Sequence, residues 1–145
     1  MRGRGCKGMD KPFVVYEVPA NPDIAVDQLT SVITSRKLVQ YLVVNHRRDM
    51  TDNGVVDPPW AYTVIFGNPG AGAKFMATSP RVVSDLPVRI GIHGDAHRSV
   101  LVYHRMEHLL GLHDERLLVA GKAVDQLVED LCQTVGGQVL EDELQ

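Results

Sequence analysis

TVIFGNPGAGAKFMATSPRVVSDLPVRIGI, residues 63–92, is the stretch whose reading decides the rest. Apolar and β-branched residues over Ala61 to Phe66 predict a strand, and Gly67-Asn68-Pro69-Gly70-Ala71-Gly72 predicts a turn through which no strand continues. A short segment, Ala73 to Ser84, is interrupted at Pro80. Leu86 to Ile92 then predicts a second strand.

Working outward, Gly94-Asp95-Ala96-His97 reads as a turn and Ser99 to Tyr103 as a strand forming a hairpin with Val88 to Ile92. Arg105 to His113 reads as a helix. A longer helix over about Glu115 to Val135 follows, with Leu117, Leu118, Val124, Leu127, Val128, Leu131 and Val135 at three- and four-residue steps. Gly121 weakens its middle and Gly136-Gly137 stops it. Upstream, Phe13 to Val18 is a strand ended by Pro19. Asn21-Pro22-Asp23 reads as a cap, a proline at the first helical position and an acid where the helix dipole favours one. The helix they open runs to about Ser35, with Ile24, Ala25, Leu29, Val32 and Ile33 on one stripe. Leu38 to Asn45 is the next strand, with His46 at its end. Arg47 to Pro59 carries Asp52-Asn53-Gly54 and Asp57-Pro58-Pro59 and reads as a loop.

At 145 residues the chain suits one domain, expected over residues 12–137, between a basic, disordered leader (1–11) and an acidic tail (138–145). With 44% hydrophobic and 23% charged residues it has a globular composition. A net charge of -3 gives no field that would gather nucleic acid, which is dropped as a partner. No run of about 18 apolar residues would span a membrane. Cys6 and Cys132 lie far apart and fit a reducing compartment, so a cytoplasmic location is expected.

Gly67 to Lys74 has the look of a phosphate-binding loop, but Ala73 separates Lys74 from the last glycine and Phe75 stands where a hydroxyl should coordinate magnesium. The spacing fails, and a tight turn needing positive φ is the preferred reading. Five of the six histidines fall between His93 and His113. His104 and His108 are four apart on an expected helix and would share a face, as metal-binding imidazoles do; Glu107, His113, Asp114, His93 and His97 are near enough in sequence to complete a site. Zinc or another transition metal is therefore a candidate, although no cofactor is predicted. No strained nucleophile turn surrounds Ser79, Ser84 or Ser99, and Cys132 sits on the buried side of a helix, so no catalytic residue is assigned. Asp85 is expected to brace the turn before its strand.

The order FGNP…AGAKFM…P…SDLPVRI resembles the signature of the domain of unknown function 302 family. His46, Phe66, Gly67, Asn68, Pro69, Gly72, Met76, Asp85, Leu86, Pro87 and Tyr103 match its recurrent positions, while Asn45 stands where members usually carry an aspartate. The resemblance implies an α/β, two-layer fold, with about five mixed or antiparallel strands and helices on one face. It also implies a small cytoplasmic protein pairing as a homodimer, with no secure activity. The function expected is a small-ligand-binding or accessory domain, more non-enzymatic than enzymatic. Its site would be built from His46, Asn68, Asp85 and Tyr103, four polar residues at strand ends. The alternatives are a metal-binding protein using His104 and His108, and a structural or partner-binding dimer.

Overall fold

A computed structural model describes residues 11–140; the basic leader, apart from Lys11, and the acidic residues Glu141 to Glu143 lie outside them. Six strands form one antiparallel sheet in the order β2-β3-β4-β5-β1-β6. They are β1 (Phe13–Val18), β2 (Val39–Asn45), β3 (Trp60–Gly67), β4 (Val88–Gly94), β5 (Ser99–His104) and β6 (Gln138–Val139). The sixth exceeds the five expected: two residues after the last helix return to pair with Tyr16 and Glu17, too short a segment to leave a period-two pattern.

The helices are α1 (Pro22–Ser35), α2 (His46–Asp52), α3 (Pro69–Thr78), α4 (Met106–His113) and α5 (Leu118–Thr134), with 3₁₀ turns at Pro80–Asp85 and Glu115–Leu117. α1 starts where the sequence says: Asn21 Oδ1 accepts from the Ile24 N–H at 3.0 Å, and Pro22 opens the first turn. Its stripe is shifted slightly, because Ile24 is 47% exposed and Val26 is buried in its place. α5 stops at a left-handed Gly136, φ +86°.

Two segments read as irregular are helical. Arg47 to Asp52 belongs to α2, because Asn45 Oδ1 accepts from the Arg48 N–H at 3.0 Å and so caps it. Likewise the Gly67 to Gly72 turn is the entry to α3: Asn68 Oδ1 accepts from the Ala71 N–H at 3.2 Å and Pro69 takes the first helical position. None of Gly67, Gly70 and Gly72 has positive φ, so the tight-turn reading is replaced by a capped helix start.

The core lies between one sheet face and the helices. Alternate strand residues, Val14, Tyr16 and Val18 in β1, Val64 and Phe66 in β3, Val88, Ile90 and Ile92 in β4, Leu101 and Tyr103 in β5, point into it. Leu29 and Ile33 of α1, Leu110 of α4 and Val128 and Leu131 of α5 meet them. The register places Phe13, Leu42, Ile65 and Val102 on the other face.

Candidate functional site

Antiparallel pairing decides which predicted site residues can meet. Asn45 pairs with Tyr62 near the start of β3, whereas Asn68 follows the end of β3. At about 3.3 Å per residue those two ends stand more than 15 Å apart. His46 therefore lies at the opposite end of the sheet from Asn68, where its Nε2 is 2.7 Å from Thr63 Oγ1. Asp85 and Tyr103 do lie at the Asn68 end, since Phe66 pairs with Val88 and β5 runs antiparallel to β4. They still face different surroundings, so the four do not converge on one cavity.

Tyr103 is 2% exposed and serves the core. Its hydroxyl donates to the buried Asp125 of α5, and burial first, then that bond, pushes its pKa far above the ordinary value. Asp125 also accepts from the Met106 N–H at 2.6 Å and the Glu107 N–H at 3.1 Å, so it caps α4 from another helix. Arg105, at the cap position, offers no side-chain bond to the helix start. Such close approach needs Gly121, one turn before Asp125: a Cβ there would stand 2.7 Å from Glu107 Cα and 2.8 Å from the Met106 carbonyl oxygen.

The metal reading is corrected in geometry. His104 ends β5 and is not on the helix that carries His108. The two rings stack with centroids 5.1 Å apart and planes 24° from parallel. His113 pairs with Asp85 instead, Nε2 to Oδ2 at 2.6 Å, while the carboxylate of Asp95 caps its own hairpin through the His97 and Arg98 N–H groups. No group of three or more His, Cys, Asp or Glu side chains among the described residues is placed to hold an ion. Cys132 is buried and free, its thiol pushed up to about 12 by burial and then by Glu129.

What Asn68 does introduce is a cleft of about 560 Å³ between the end of β3, α3 and α5. One wall is Ala71, Gly72, Phe75 and Met76, the facing wall Ala120, Ala123, Val124 and Leu127, and the floor Phe66 and Val88, with Leu38, Tyr41, Leu86 and Pro87 at the side. Among the lining residues only Tyr41 and Asn68 have polar side chains, and Asn68 is already engaged as a helix cap. The volume exists because of what is missing: a Cβ on Gly72 would meet nothing within 4 Å. Tyr41, Ala120, Ala123 and Leu127 were outside the predicted site. The signal that points to the cleft in the sequence is the run of small residues in GNPGAGA.

The family model for the domain of unknown function DUF302 matches residues 14–134. Among solved structures, the chain is similar to an uncharacterized conserved protein DUF302 from Bacillus stearothermophilus, with a TM-score of 0.75 and 11% identity over 83% of this chain and 94% of that one. At that identity the likeness is one of fold. No curated protein matches. Among the described residues no helix is long and apolar enough to cross a membrane.

Proposed function

The chain belongs to the DUF302 family, a domain of unknown function whose name carries no reaction, and from the cleft itself we propose that it binds a small apolar molecule between α3 and α5. The observation that carries this reading is the pairing of size with lining. About 560 Å³ falls within the roughly 300–1,000 Å³ of small-molecule sites, and the walls are aliphatic and aromatic. Such a surface gains by shedding water onto an apolar guest and gives no charged or catalytic group to it. Of the four predicted site residues Asn68 alone lines it, and its role is to hold the start of α3, hence the Ala71–Gly72 wall, in place.

Gly72→Leu tests this reading, because it fills the opening without disturbing the helix. Leucine is favoured over glycine in a helix by up to about 1 kcal/mol, so thermal stability should hold or rise. The neutral dye N-phenyl-1-naphthylamine should show saturable, one-site fluorescence enhancement with the natural chain and at least tenfold weaker binding with the variant. Equal affinity in the two proteins would remove the cleft as the site.

A further inference from the structure

Pro87 and Val88 line not only the apolar cleft but also a second cavity of about 290 Å³, close to the lower size of small-molecule sites. It opens where β4 and β5 part. Their pairing runs from Gly94 and Ser99 to Gly91 and Val102, and two steps beyond it Arg89 and His104 stand in register but unpaired. Both line the cavity, together with Ser84 and Asp85.

The charges in this cavity are opposite in sign and do not neutralise each other. Asp85 is held from behind by His113, a side chain only 10% exposed, at 2.6 Å. That contact fixes the carboxylate and leaves it 29% exposed. Arg89 makes no ion pair or side-chain hydrogen bond among the described residues, although it lines the same cavity as Asp85. His104 Nε2 is buried and likewise without a partner. An anchored carboxylate, an unpaired guanidinium and an unpartnered imidazole nitrogen thus surround a space of small-metabolite size. A simple anion there would meet Arg89 but be opposed by Asp85, and a simple cation the reverse. An apolar guest would strip water from both charges and repay neither.

We propose that this cavity binds a small zwitterion of the α-amino acid type, its ammonium on Asp85 and its carboxylate on Arg89. A guanidinium suits that carboxylate because its planar fork donates two parallel hydrogen bonds. His104 supplies a further donor to the same carboxylate in its Nε2–H tautomer. Ser84, whose hydroxyl already donates to the Arg81 carbonyl at 3.1 Å, retains lone pairs for the ammonium. The site is independent of the apolar cleft, and neither reading needs the other.

An amide-resolved NMR titration of the full chain decides the matter, with glycine and L-alanine as probes and acetate and methylammonium as half-ligands. The expected result is saturable shifts at Ser84 to Arg89 and at His104 with both amino acids at millimolar concentration, and no saturation with either half-ligand. Arg89→Met, a change at an exposed residue without side-chain bonds, should weaken glycine binding at least tenfold while the rest of the spectrum stays in place. Acetate binding as tightly as glycine would make this an ordinary anion site and overturn the proposal. So would full glycine affinity in Arg89→Met, or the absence of shifts with both amino acids.

Discussion

Helix α5 treats α4 and α3 in opposite ways. Toward α4 it carries Gly121, where a Cβ would collide with backbone at 2.7 Å; across the cleft from it, α3 carries Gly72, where a Cβ would touch nothing. One glycine lets two backbones meet, and the other leaves a space unfilled. The same residue type thus makes a close backbone joint on one side of the helix and an open space on the other, and only tertiary placement separates the two.

The largest effect should come from removing what the tight side achieves. Asp125→Ala would leave the Tyr103 O–H and the Glu107 N–H without an acceptor, and the Met106 N–H with only its longer bond to the Tyr103 oxygen at 3.3 Å, in a site where the aspartate is 2% exposed. At about 1–3 kcal/mol for each stranded group, less what solvent can repair, the loss should be about 4 kcal/mol in a denaturant titration. A loss under about 1 kcal/mol would mean that α4 begins without its borrowed cap and that the close crossing has no such purpose.

Next in size is a matched pair. Gly121→Ala should cost about 2 kcal/mol, overpacking outweighing the helix propensity gained, whereas Gly72→Ala should stabilise by up to about 1 kcal/mol because nothing opposes that gain. Opposite signs in parallel thermal melts would sustain the comparison. Equal signs would break it, and would show that the α4 to α5 crossing relaxes freely.

How much of this was legible follows from where each signal lies. β1, β3 and α1 begin and end within a residue or two of expectation because their punctuation is local: Asn21 and Pro22 state the helix start in the sequence itself. α3 was hidden by the same kind of residues. Asn68-Pro69-Gly70 reads as a turn or as a capped helix start, and the choice rests on one bond to the Ala71 N–H. The proposed meeting of His46 with Asn68 failed for a topological reason. Gathering the C-terminal ends of strands at one edge is a property of parallel sheets, while in consecutive antiparallel strands those ends fall on opposite edges. Asp125, and the packing role of Gly121, which reads in the sequence only as a weak point of its helix, were not legible because their partners in β5 and α4 are 14 to 22 positions away, at Glu107 and Tyr103, and no periodicity reports such a contact. In the zwitterion cavity, Asp85 and His104 were singled out, but for separate and different roles; their joining with Arg89 depends on the register of β4 against β5.

The smallest expected effect asks whether close packing extends to the joint between β5 and α4. His104 there lies 4.7 Å from the Phe13 ring and 5.1 Å from that of His108. Burial first, and then the neighbouring His108, lower its pKa from 6.5, outweighing the opposite pull of Asp85 and Asp125. Below pH 6.5 the unfolded chain therefore holds more proton at this position than the folded one, so acid favours unfolding. The contribution of the neutral ring is complete above pH 6.5 and is lost as pH falls toward the depressed folded value. Melting temperatures between about pH 8 and about pH 5 should accordingly fall more steeply for the natural chain than for His104→Gln, which cannot take up the proton. Parallel curves would mean that solvent reaches the ring past both neighbours, and that the joint is as loosely filled as the cleft on the other side of α5.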